Sequence, residues 1–190
     1  MKLTMNQPKK HTFSTRDVSA VALCAAVMAI CAWISIPAPV PFSLQTLGVF
    51  VTVGLLGGKR GTLAVLVYLL LGLAGVPVFA GFTGGIGAFL GERGGYLVGF
   101  LVAALAMWGL ECLIGRSTRA LCIAMITGLI LCYAVGTAWF SVIYARANPA
   151  AGIWTVLTLC VLPYVIPDAV KIAAALYICR RVDLHKTRHS

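Results

Sequence analysis

The sequence predicts an all-α integral membrane protein with six transmembrane helices and both termini in the cytoplasm. Three observations predict it. Mean hydropathy is +0.98, and of 190 residues 61% are hydrophobic and 11% charged, unlike any soluble domain of this size. A helix crosses a bilayer in about 20 apolar residues, so the chain has room for roughly six spans and little else. Finally, twelve of the fifteen Lys and Arg residues fall at four places: Lys2, Lys9, Lys10 and Arg16; Lys59 and Arg60; Arg116 and Arg119; Arg180, Arg181, Lys186 and Arg188. With six spans these four places share one side, which leaves only Arg93 and Arg146 opposite and Lys171 inside. The positive-inside rule makes the basic side cytoplasmic.

The elements follow in order. Residues 1–17 form a polar, basic tail. The first span, 18–36, is too long an apolar run for the h-region of a signal peptide and is read as retained. Pro37, Pro39 and Pro41 then forbid helix. The second and third spans run over 43–57 and 61–74, separated by "GGKRG". The stretch 75–95 is too rich in glycine for a stable helix and too apolar for a solvated loop. Such backbone is tolerated at membrane depth where it is buried or lines a cavity. The fourth and fifth spans are 95–114 and 119–145. Residues 149–166 are apolar but broken by Pro149, Gly152, Pro163 and Pro167, and part of them is expected to lie at the membrane surface as a short helix. The sixth span, 167–181, starts at Pro167, a favoured first helical residue. Residues 183–190 are a second tail. The whole is a single membrane domain, 18–182.

Composition also excludes. The net charge of +10 sits at span ends, where it sets topology and gives no footprint for nucleic acid. There is no GxxxxGK[ST] loop, so any ATP must be used by a partner. The seven cysteines lie in apolar segments without a CxxC pair, and the three histidines lie in the polar tails. Neither set suggests a metal site, a disulfide framework or a nucleophile. No catalytic residues and no bound cofactor are expected.

The candidate functional residues are the polar groups in greasy surroundings. In "PDAVK", Asp168 and Lys171 stand three apart and share a helix face. Ionisable groups inside a span are costly and usually face a cavity or one another. They form a self-satisfied structural pair, a small-ligand site or a proton relay. An acid and a lysine together suit a ligand with both N–H and C=O groups, such as a cyclic urea. Arg93, in "GERGGY", is either a bidentate captor of carboxylate, an ion-pair partner of Glu92 or a surface anchor. Tyr96 is either an interfacial aromatic or a wall for a ligand ring. In "VPFSLQTLG", Phe42, Ser43, Gln45 and Thr46 either cap a helix or edge a lid over a pocket. Phe79 and Phe82 in the glycine-rich segment supply an apolar wall or simple packing. On the first span, Ala22 and Ala26, then Ala25 and Ala29, recur every four residues, a spacing that permits close helix contact within the bundle or with another membrane subunit.

With these residues in place, the chain resembles the BioY family, the biotin-binding S components of energy-coupling factor (ECF) transporters. The resemblance covers about residues 15 to 182. It is carried by "VPFSLQTLGVF", "GGKRGTLAVLVYLLLGLAGVPVF", "GGYLVGF" and "PDAVK", in that order and at the family's spacing. It implies the six-helix S-component fold in a bacterial cytoplasmic membrane, with an outward biotin site built from the outer loops and helices four to six. It implies that Asp168 and Lys171 meet the ligand's polar head, with Arg93, Tyr96, Gln45, Phe42, Phe79, Gly84 and Gly85 around it. Where many members carry Gly-Pro-Thr-Gly-Gly-Tyr this chain has "GERGGY", so the role of Arg93 rests on its chemistry. The resemblance also implies partners: a transmembrane coupling protein, met by the alanine stripe, and two ABC-type ATPases whose cycle topples the S component and delivers the vitamin inward.

Other classes fit less well. S components for thiamin or riboflavin would favour more aromatic stacking than a 9% aromatic chain offers. A stand-alone ion-coupled transporter would show repeats or more intramembrane carboxylates, whereas Asp168 is the one placed deeply, with Glu111 near the inner end of the fourth span. A membrane enzyme would need an acid–base or metal cluster.

Overall fold

Proline and glycine divide the chain into helices much as hydropathy predicts, but they move several boundaries. The computed structural model describes residues 14–37, 42–148 and 153–188. In order come α1 (Thr15–Trp33), β1 (Ser35–Ile36), β2 (Phe42–Ser43), α2 (Gln45–Leu56), α3 (Gly58–Leu73), α4 (Ile86–Leu90), α5 (Gly94–Ile114), α6 (Thr118–Ala147), α7 (Ile153–Cys160) and α8 (Leu162–Arg188). Among the described residues, four segments are long and apolar enough to cross a membrane: Thr15–Trp33, Gly94–Ile114, Thr118–Arg146 and Trp154–Val182. Helices α2 and α3 are apolar but shorter, at 12 and 16 residues. Outward faces carry large apolar side chains such as Leu23, Ile130 and Ile166, the surface of a lipid-embedded bundle.

Helix α1 begins at Thr15, three residues before the expected span, because the Ser14 N–H donates to the Asp17 carboxylate at 3.2 Å, the reach-back half of a capping box. It stops at Trp33. The flanks of the proline loop then pair as a two-stranded antiparallel ladder, Ser35 with Ser43 and Ile36 with Phe42. An all-helical reading misses this ladder, which satisfies backbone groups that a proline-broken segment would leave bare. Pro39 and Pro41 lie outside the described residues, as do residues 1–13. Helix α2 therefore starts at Gln45 rather than at 43.

The last helix, α8, departs most from expectation. It begins at Leu162, not at Pro167, and runs to Arg188. Pro163 takes the first-turn position that tolerates proline. Pro167 lies inside the helix, where its missing N–H forfeits the bond to the Pro163 carbonyl. The preceding apolar stretch forms α7, which packs on α6 and α8.

Helix α2 is central, touching α1, α3, α5 and α8. The closest pair is α5 with α6. Gly95, Gly99 and Ala103 on α5 face Gly128, Cys132 and Gly136 on α6, each row spaced by four. A Cβ on Gly99 would stand 3.1 Å from the Cys132 carbonyl oxygen, and one on Gly136 would run into the Tyr96 ring. Small residues let these backbones approach, as helices in lipid require.

The basic end of the bundle is tied together. Arg60 pairs with Asp17 at 3.1 Å, joining the α2–α3 turn to the start of α1. Glu111 near the end of α5 accepts the Gly58 N–H at 2.7 Å, and Arg116 donates to the Gly54 carbonyl at 2.6 Å. An acid thus meets the N-terminus of α3 and a base the C-terminus of α2, both favourable to the helix dipoles. Gly57, at φ 83°, makes the tight turn between them possible.

Candidate functional site

Opposite that end, the start of α2, the 79–93 segment and helices α5, α6 and α8 enclose a cavity of about 500 Å³, within the range of small-molecule sites. Each wall has a local cause. The 75–85 segment turns back on itself: Phe79 N–H donates to the Thr83 carbonyl at 3.0 Å, and Gly85 N–H donates to the Gly72 carbonyl at 2.6 Å. Two indoles strap down the stretch from Pro77 to Gly91. Trp33 Nε1 donates to the Pro77 carbonyl at 2.8 Å and Trp139 Nε1 to the Gly91 carbonyl at 3.0 Å. The Trp33 ring also stacks on Phe82, with centroids 5.2 Å apart. Phe79 lies in the seat that Gly72 leaves empty and meets Tyr68 and Phe89 edge to face.

The polar centre comes from α8. Asp168 and Lys171 line the cavity with side chains only 5% and 6% exposed, joined by a 2.6 Å ion pair. Tyr133 of α6 donates to the second carboxylate oxygen of Asp168. The Lys171 ammonium stands 4.4 Å from the centroid of the Phe42 ring, which itself stacks on Tyr164. One ammonium proton goes to Asp168; the others meet no oxygen among the described residues and are available to a ligand. Burying two charges costs several kcal/mol per ion, offset only by close geometry and further hydrogen bonds. Tyr133, Phe42 and the pair's own contact meet that condition.

Arg93, at the start of α5, also lines the cavity, and its side chain is exposed. Among the described residues it forms no ion pair, with Glu92 or any other carboxylate. Tyr96 offers its ring only, because its hydroxyl is taken by the Cys160 carbonyl and Thr137, both at 3.3 Å. Gln45, Ser43, Thr46, Phe79 and Gly84 complete the cavity wall.

Thus nine of the expected residues share one cavity: Asp168, Lys171, Arg93, Tyr96, Ser43, Gln45, Thr46, Phe79 and Gly84. Phe42 stands behind them, against Lys171. Gly85 does not line the wall; its φ of 85° and its bond to Gly72 make it a turn residue. Tyr133, Tyr164, Leu129 and Cys132 line the cavity without having been singled out from the sequence. Tyrosine and cysteine in an apolar span read as ordinary packing, and only their distance from Asp168 distinguishes them. The alanine stripe divides. Ala25 and Ala29 are buried in the core, which removes them from any docking surface, while Ala22 and Ala26 face outward.

Comparison with known proteins converges on one family. The model of the BioY family matches residues 5–188. The probable biotin transporter BioY of Pyrococcus horikoshii is 37% identical over 169 residues, covering 88% of this chain and 96% of that protein. The biotin transporter BioY of Thermotoga maritima is 36% identical over 168 residues, covering 88% and 95%. Among solved structures, the S-component for biotin from an ECF-type ABC transporter superposes with a TM-score of 0.77 at 28% identity, over 90% of this chain and 95% of that one.

Proposed function

The chain belongs to the BioY family, and from that premise we propose that it captures biotin at the membrane's outer face and hands it inward as the S component of an ECF-type transporter. The observation that carries this reading is the buried Asp168–Lys171 pair opening onto a cavity of about 500 Å³ that Arg93 also lines, with no carboxylate partner among the described residues. Biotin has a ureido ring with two N–H donors and one carbonyl, an apolar body and a carboxylate. The acid–lysine pair suits the ureido head, Phe79 and Tyr96 suit the body, and the Arg93 guanidinium suits the carboxylate.

In this reading the chain transports and catalyses nothing covalent, and it binds no cofactor. ATP is used by two partner ATPases, coupled through a transmembrane protein that meets the α1 face bearing Ala22 and Ala26. Six helices (α1, α2, α3, α5, α6 and α8) cross a bacterial cytoplasmic membrane with both termini inside. The cluster of Asp17, Arg60, Glu111 and Arg116 at one end of the bundle supports that arrangement, since it gathers the basic turns on a single side.

The test is calorimetric titration of biotin into the purified chain in detergent. One-to-one binding supports the reading; a folded chain that takes up no biotin overturns it.

A further inference from the structure

Beneath the cavity runs a chain of hydrogen bonds that the proposed function leaves unused. Tyr68 of α3 is fully buried. Its hydroxyl lies 3.0 Å from the Val78 carbonyl oxygen and 2.7 Å from Gln45 Nε2. A carbonyl only accepts. The hydroxyl has one proton and gives it to Val78, so toward Gln45 it must accept, and only the NH₂ end of the amide donates. The amide is therefore oriented by its neighbours. Gln45 is 4% exposed and lines the cavity. Its Oε1 accepts nothing among the described residues, yet it is not sealed within the protein, so it opens onto the cavity.

We infer that Tyr68 is a positioning residue for ligand selection: by holding the amide NH₂ of Gln45, it turns the amide oxygen inward and makes that point of the wall an acceptor for one ligand N–H. The inference rests on the biotin reading, in which the ureido group supplies the N–H. Asp168 already receives bonds from Lys171 and Tyr133, whereas Gln45 Oε1 has no protein donor among the described residues. A site built around such an acceptor rejects analogues that lack the donor, because the buried oxygen is then left unpaired. Without the Tyr68 hydroxyl the amide is free to turn over and present NH₂ to the same ligand N–H.

The experiment titrates biotin and its two N-methylated ureido analogues into the full-length chain as wild type, Tyr68→Phe, Gln45→Met and the double variant, all checked for a single folded species. The wild type is expected to prefer biotin over at least one analogue. Tyr68→Phe should weaken biotin roughly tenfold, narrow that preference, and add nothing in the Gln45→Met background. Equal weakening of biotin and both analogues, a full effect persisting without Gln45, or no effect at all would each make Tyr68 a packing residue and overturn the inference. A folded wild type that binds no biotin overturns the ligand reading itself, and the inference with it, which is a distinct result.

Discussion

Phe42 presents its ring face to the Lys171 ammonium at 4.4 Å from the centroid. The ring replaces part of the hydration the cation loses on burial. Such contacts contribute about 0.5–2 kcal/mol, more when desolvated. Phe42→Leu stays apolar and removes the quadrupole, so biotin affinity should fall roughly 2- to 30-fold, while Phe42→Trp should preserve it. Calorimetry of both variants decides the matter; equal affinities would remove the ring from the site.

The ion pair of Asp168 and Lys171 makes a prediction about stability in the absence of ligand. Breaking a buried pair strands a charge and costs about 3–5 kcal/mol, whereas replacing both partners costs far less. Asp168→Asn and Lys171→Met should each lower thermal stability, and the double variant should recover much of the loss. Biotin binding should be weakened in all three. Unfolding is readable with a thiol-reactive dye, since Cys132 and Cys160 are buried thiols. Additive losses in the double variant would contradict the account.

The α5–α6 contact predicts a size threshold. Gly99→Leu and Gly136→Val each place side-chain atoms where the opposing helix already stands, and overpacking of this kind costs about 1–3 kcal/mol. Gly109 lies on the same α5 helix, where an added Cβ would meet only open space, so Gly109→Ala should be neutral or slightly stabilising. The same thermal assay compares the three.

At the basic end, Glu111→Gln should lower stability by about 1 kcal/mol by weakening a charge-assisted bond to the α3 N-terminus. The Glu111–Arg116 pair itself contributes little, being 3.9 Å long with the arginine side chain half exposed. Biotin affinity should not change, because Glu111 lies outside the ligand cavity. A variant that lost affinity in parallel with stability would tie this end to the binding site.

How much of this was readable from residues alone depends on contrast. Asp168 and Lys171 stand out because a charge in an apolar span is expensive wherever it occurs. Tyr133 and Tyr68 do not, since a tyrosine in such a span is equally at home as packing; their roles depend on partners 35 and 23 positions away. Pro167 misled because the same N-terminal preference applies to Pro163, and nothing local separates them. Four-residue spacing in α1 did not say which alanines face inward. The rows Gly95, Gly99, Ala103 and Gly128, Cys132, Gly136 were not singled out, because their facing each other is a tertiary fact. The β1–β2 ladder, two residues on each side of a proline loop, is too short to leave a periodic signal.

Helix α2 is twelve residues long and rises about 18 Å, against about 30 Å of hydrocarbon. In the proposed orientation, with Lys59 and Arg60 at the cytoplasmic interface, it would run out well short of the other. Gln45 begins there, so in that orientation the chamber's floor would lie at the depth of the acyl chains and not level with the headgroups. The vitamin would then shed its water at the bottom of a well whose depth the lipid sets. Acyl-chain length thereby becomes a variable of capture: a thicker membrane deepens the shaft that biotin must descend, and a thinner one brings the floor toward the surface.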